Sequence, residues 1–231
     1  MYQKRMNNSK WEQIYHFLQN DPHVYAMDSD SCRQFIEALY WMSRSGAQWR
    51  LLPQEYGNWN TVFKRFNRWE SKGVFERMHH HFSQDADLEH LMIDSTLVRT
   101  HSSASGASKK KHGTQQKQAL GRSAGGFTTK IHIAVDALGN PLRFLLTPGE
   151  VHDRKCAEAL VEGWKTSTII ADRGYIDQKW KDSLKQQGIQ LVQPPRRNQI
   201  FSWEYDQHVY KERHLVECFI SKMKQFQKAL L

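Results

Sequence analysis

No apolar run in this 231-residue chain approaches the roughly 20 residues needed to cross a bilayer, and the polar N-terminus has no apolar signal segment. A membrane protein or an exported one is not expected. Cysteine is scarce. Cys32, Cys156 and Cys218 are scattered, odd in number and free of CxxC spacing, which argues against a structural zinc site and for a reducing, cytoplasmic compartment. Acidic residues are in short supply too, 24 against 33 Lys and Arg, so the formal charge is +9 with twelve histidines in reserve. That imbalance favours a polyanionic partner, most simply nucleic acid, although many proteins carry modest positive charge.

Residues 1 to about 85 read as entirely helical. Trp11, Ile14, Tyr15 and Leu18 recur at helical spacing, and Asp21-Pro22 closes that helix. Asp30 or Ser31 is the expected cap of a second helix with apolar positions Phe35, Ile36, Leu39, Tyr40 and Met42, stopped by Gly46. After Pro53 and Gly57, Asn58 is the expected cap of a third. Val62, Phe63, Phe66 and Trp69 mark its buried side, and Lys64, Arg65, Arg68 and Lys72 its other faces. Short helices with a sharp turn before a basic one suggest a helix-turn-helix-like module, with Lys64, Arg65 and Arg68 as candidate DNA contacts. A small bundle with a merely basic outer face fits the same pattern. His79, His80 and His81 are consecutive, point in different directions on a helix and make a poor chelate.

From residue 88 the pattern becomes strand-like. Residues 90–99 are rich in strand formers. Residues 102–126 form a low-complexity stretch containing Lys109, Lys110 and Lys111, read either as a mobile DNA contact or as a solvated linker. Strands are expected at 128–135 and 142–147, joined by the turn Asp136-Ala-Leu-Gly-Asn-Pro141, and then a helix capped by His152-Asp153 and running through Ala157, Leu160, Val161 and Trp164. A strand at 168–172, a helix at 178–187 ended by Gly188, a strand at 189–192 and a C-terminal helix complete the chain. A three-stranded antiparallel start followed by alternating helices and parallel strands is the order of an α/β, ribonuclease H-like fold with a mixed sheet.

Two aspartates stand out because Asp is depleted in strands and a buried carboxylate needs a cation. Asp94 follows Leu91-Met-Ile93, and Asp172 ends Ile169-Ile-Ala171. Each alone could simply cap a turn. The C-terminal run Tyr210-Lys-Glu-Arg213-His-Leu-Val-Glu217 continues to Lys224 and reads as one amphipathic helix with an apolar stripe of Leu215, Phe219, Ile220, Met223 and Phe226. Glu217 lies 45 residues beyond Asp172, and Asp172 lies 78 beyond Asp94, so only the tertiary fold can unite them. Together they would offer hard oxygen ligands to Mg²⁺ or Mn²⁺. Such ions activate a water or 3′-hydroxyl and stabilise the leaving oxygen in phosphoryl chemistry. Asp136 and Asp153 suit a turn and a helix cap instead.

These residues resemble bacterial insertion-sequence transposases of the insertion sequence 5 group, in the DDE superfamily. The resemblance is carried by Ser45-Gly-Ala-Gln-Trp49-Arg-Leu-Leu-Pro53, by Gly121-Arg-Ser-Ala-Gly-Gly-Phe-Thr-Thr-Lys130-Ile-His132, by Pro148-Gly-Glu-Val-His152-Asp153 and by Pro194-Pro-Arg-Arg-Asn198. Most specific is the signature of Tyr, two residues, Arg, three residues, Glu, six residues, Lys, matched at Tyr210, Arg213, Glu217 and Lys224. It implies a metal-binding catalytic triad of Asp94, Asp172 and Glu217. Tyr210, Arg213 and Lys224 are implied as DNA contacts, the two cations on phosphates. It further implies residues 1–85 as an end-binding domain and 88–231 as a catalytic one, C-terminally truncated because relatives continue past this helix. The expected partners are double-stranded terminal inverted repeats and target DNA, bound by a homo-oligomer at the nucleoid. A DNA-binding protein without catalysis, or a metal-dependent nuclease of the same fold, would fit the same residues.

Overall fold

The computed structural model describes residues 6–26, 28–99, 119, 121–123, 126–195 and 204–227. By contacts the chain divides into two compact units, residues 85–221 and residues 1–84 together with 222–231.

In the first 84 residues four helices form around aromatic side chains: α1 (Asn8–Asn20), α2 (Ser29–Ser45), α3 (Trp59–Ser71) and α4 (Val74–Phe82). The core contains Trp11, Leu18, Phe35, Ile36, Met42, Tyr56, Val62 and Trp69. Side-chain caps set the helix starts: Asn7 for α1, Asn58 for α3, and Asp28 for α2. The expected cap at Asp30 or Ser31 is thus displaced to Asp28, whose carboxylate accepts the Asp30 N–H. Gly46 ends α2 in the left-handed conformation, as its position suggested. Of the apolar positions on α2, Tyr40 lies at the surface, 42% exposed. Two short 3₁₀ turns, Trp49–Leu51 and Gln54–Tyr56, separate α2 from α3, while only Lys72-Gly73 separates α3 from α4.

In the second unit the strands β1 (His90–Arg99), β2 (Gly121–Ser123), β3 (Gly126–Val135), β4 (Pro141–Pro148), β5 (Thr168–Ala171) and β6 (Gln190–Val192) form one mixed sheet. β3 lies antiparallel to β1 and β4. On the other side of β1 come β5 and then β6, both parallel. This is the ribonuclease H-like arrangement. β2 falls inside the stretch expected to be a loop and pairs with the start of β3. Lys109, Lys110 and Lys111 lie outside the described residues.

Asp136 builds the β3–β4 turn by accepting the N–H groups of Leu138 and Asn140. A 3₁₀ turn, Asp153–Cys156, leads into a helix shorter than expected, α5 (Ala157–Val161). α6 (Gln178–Gln186) follows, capped by Asp177. Leu160, Trp180 and Leu184 from these helices pack with Leu91, Ile93, Ile169 and Ala171. None of the helices is long and apolar enough to cross a membrane, among the described residues.

Candidate active site

The strand register brings the two aspartates side by side. β1 and β5 run parallel, and their last paired residues are Ile93 and Ala171. Asp94 and Asp172 are the next residues on two neighbouring strands, which run about 4.8 Å apart. Alternation along β1 sends Leu91 and Ile93 into the core shared with α5 and α6, and turns Asp94 to the opposite face. Asp94 Oδ1 accepts the Ser95 N–H at 2.8 Å. Asp172 Oδ1 accepts the Gly174 N–H at 2.8 Å, and the Asp172 carbonyl accepts from the Gln193 amide.

The C-terminal run is two helices, a correction to the single one expected. α7 (Gln207–Lys211) is capped by Asp206, and α8 (His214–Gln227) follows a break at Glu212-Arg213. Long-range contacts explain the break. Glu212 Oε2 lies 2.6 Å from His90 Nδ1 at the start of β1, and Arg213 Nη1 donates to Asp94 Oδ2 at 2.8 Å. The first residues of α8 are anchored by buried Val216 and Ile220 and by Phe219, whose ring centroid is 5.9 Å from that of Phe144 on β4.

Arg213 is the hub. Its second nitrogen, Nη2, donates to Glu217 Oε1, so one guanidinium joins Asp94 to Glu217. Tyr210 packs against it, with the guanidinium carbon 5.8 Å from the ring centroid. Burial opposes the charge of Arg213, but Asp94, Tyr210, Glu217 and Asp172 outweigh it and raise its pKa. Burial pushes the Asp94 carboxyl above the usual carboxylate range, the nearby Asp172 charge adds to this, and the Ser95 N–H and Arg213 oppose it. Among the described residues no three His, Cys, Asp or Glu side chains form a ready-made metal cage. Instead a cationic side chain bridges two of the three acids. The donors around it are hard oxygens, the set that suits Mg²⁺ or Mn²⁺.

Of the remaining expected site residues, Lys224 is exposed on α8. Lys64 and Arg68 are exposed on α3 and line a cavity of about 520 Å³ with Tyr25, Asp28, Thr61 and Trp69. Half-buried Arg65 lines the same cavity, stacking over Phe35 at 4.5 Å and Trp69 at 5.0 Å and donating to Cys32 Sγ. Sequence reasoning missed Asp153. Of the expected cap His152-Asp153, His152 Nδ1 accepts the Arg154 N–H, and Asp153 reaches Ser95 and Lys130 instead. Two adjacent residues able to cap, only one of them needed, is the signal that was available.

The similarities to known proteins follow the two halves of the chain. Residues 85–230 match a family model described as "Transposase DDE domain", and residues 6–79 match "Putative transposase of IS4/5 family". An uncharacterized protein of Sinorhizobium fredii, y4sN, is 38% identical over 120 residues, covering 52% of this chain and 96% of its own length. A protein of Brucella ovis named "Putative transposase for insertion sequence element IS6501" is 37% identical over 110 residues, 45% of this chain and 82% of its own. Among solved structures, piggyBac transposase in a synaptic complex with hairpin DNA aligns at 13% identity and a TM-score of 0.47 over 83% of this chain. This chain spans about half, 48%, of the length of that transposase. The chain belongs to the transposase DDE-domain family, in the IS4/5 group.

Proposed function

We propose that this chain cuts and joins DNA strands at the ends of an insertion sequence, with Asp94, Asp172 and Glu217 as the ligands for Mg²⁺ or Mn²⁺. The observation that carries the reading is the parallel register that sets Asp94 beside Asp172, with Arg213 linking Asp94 to Glu217. One cationic group thus joins two carboxylates from distant parts of the sequence, with the third on the neighbouring strand end. A bound divalent ion supplies Lewis-acid activation of a water or 3′-hydroxyl and stabilisation of the leaving oxygen. Arg213 neutralises the acids in the free protein and is suited to pair with a DNA phosphate. Tyr210 stacks beside it and keeps its guanidinium oriented.

The test incubates the full chain with duplex DNA carrying element ends and Mg²⁺. Nicking at the ends and joining of the 3′-hydroxyl to a second duplex are expected, and chelation by EDTA should abolish both while leaving DNA binding. Cleavage without joining would identify a nuclease, and binding without cleavage a non-catalytic DNA-binding protein.

Residues 1–85 are assigned to end binding, with Lys64 and Arg68 on phosphates, and Lys109–Lys111 to a further electrostatic contact. Replacing Lys64 and Arg68 by Gln is expected to weaken binding to every DNA sequence alike. Each lost phosphate contact should lower the slope of log K against log salt by roughly 0.9. An unchanged slope in titrations between 50 and 200 mM salt, the range in which such contacts are felt, would remove this helix from the interface.

Gly174 tests the placement of Asp172. A Cβ there would lie 2.9 Å from Asp172 Oδ1 and 3.1 Å from Asp153 Oδ2. Gly174→Ala must push the Asp172 carboxylate aside. End cleavage is expected to fall about 10- to 100-fold with little change in melting temperature, because the displaced atoms are side-chain ends. Wild-type rates in this variant would put Asp172 outside the reaction.

A further inference from the structure

We infer that Asp153 is a positioning residue: it fixes Asp94 and Asp172 relative to each other and thereby sets the affinity of the site for a divalent cation. The inference rests on the reading of Asp94 and Asp172 as metal ligands. One oxygen of Asp153, Oδ1, accepts from Ser95 Oγ at 2.8 Å and pairs with Lys130 Nζ at 3.0 Å, with His132 Nδ1 at 3.8 Å. Ser95 directly follows Asp94, and its own N–H holds the Asp94 carboxylate. The other oxygen, Oδ2, lies 3.1 Å from where a Cβ on Gly174 would stand, and the Gly174 N–H holds the Asp172 carboxylate. A single side chain therefore touches both segments that present the ligands.

Alternation along β1 separates bracing from ligation. Ser95 points to the face opposite Asp94, and it is paired across the sheet with His132, on the side where Lys130 also lies. Asp153 thus acts from behind the sheet, away from Arg213 and Glu217. Lys130 is itself tethered, donating to the Val151 carbonyl at 2.7 Å, so the ion pair is a fixed strut. The Tyr175 hydroxyl stands beside this cluster, fully buried and without a hydrogen-bond partner among the described residues. Burial, followed by the charges of Asp153, Asp94 and Asp172, pushes its pKa up. Helix capping does not account for Asp153, since His152 supplies that bond.

Mn²⁺ binding to the full chain, followed by the EPR signal of free Mn²⁺, tests this directly. Asp153→Ala is expected to weaken Mn²⁺ binding about 10- to 100-fold, the range found when groups that orient metal ligands are removed. The Mg²⁺ concentration for half-maximal end cleavage should shift by the same factor, while the rate at saturating Mg²⁺ falls far less. Asp153→Asn keeps an acceptor for Ser95 but loses the charge that fixes Lys130. It should lie between wild type and Ala, and it replaces Ala if the alanine variant does not fold. Unchanged Mn²⁺ affinity overturns the inference, whether or not the melting temperature drops. So does a lower saturated rate at unchanged affinity. Asp94→Asn is measured alongside: if it too binds Mn²⁺ like wild type, the ligand assignment fails; if it alone loses binding, only the role of Asp153 falls.

Discussion

Asp94→Asn is expected to lower metal-dependent cleavage at element ends by on the order of 10³-fold or more, the scale of losing a group on which transition-state charge stabilisation depends. DNA binding should survive. Asparagine has the shape of aspartate and keeps an acceptor for the Ser95 N–H, but its amide nitrogen replaces the oxygen that accepts from Arg213, so the strand is undisturbed while Arg213 is left to Glu217. What disappears is the anionic oxygen that a hard divalent ion requires. Glu217→Gln should match it in cleavage and, like Asp94→Asn, should not weaken DNA binding. Arg213 now divides its charge between Asp94 and Glu217. Neutralising Glu217 frees part of that charge and removes a negative group, so DNA affinity should stay equal or rise, most visibly at low salt. Gel-shift titration and end cleavage on the same preparations separate the two effects. Full cleavage by either variant would sink the triad.

The parts of this site that were legible in the sequence are those fixed by short-range rules. Asp94 and Asp172 were legible as candidates because a carboxylate within or just after an apolar strand is costly without a partner. The β3–β4 turn could be found because Asp136, Gly139 and Asn140 are turn formers whose bonds are local. The break between α7 and α8 could not. The stretch around Glu212 and Arg213 is a good helical sequence, and it breaks where His90 and Asp94, more than a hundred residues upstream, engage those two side chains. Asp153 escaped for the same reason, because its partner Ser95 is 58 positions away. The stacking of Arg65 likewise depends on where α2 places Phe35 and Cys32. Helix periodicity gives the face of a cation only to within a turn.

Glu37→Ala should be the most destabilising single change in the helical unit. Glu37 and Arg33 sit one turn apart on α2, a spacing that usually means a solvated pair of little value. Here the side chains are 0% and 4% exposed. Arg33 also donates to Asn8 Oδ1 and to the Met6 carbonyl, and Glu37 accepts the Met6 N–H. The pair therefore ties the entry of α1 to α2, beneath the Trp11 ring. Removing the glutamate leaves a guanidinium buried without its counter-charge, a loss of about 3–5 kcal/mol when such pairs are broken. For a unit of this size that is a fall of more than about 10 °C in the thermal midpoint. The near-UV circular dichroism of the Trp11 and Trp69 core reports the transition. Arg33→Met combined with Glu37→Leu should recover much of the loss, because two apolar side chains remove the desolvation cost of both charges. A midpoint unchanged in Glu37→Ala would mean that the pair is solvated after all, and that α1 and α2 are joined by their aromatic contacts alone.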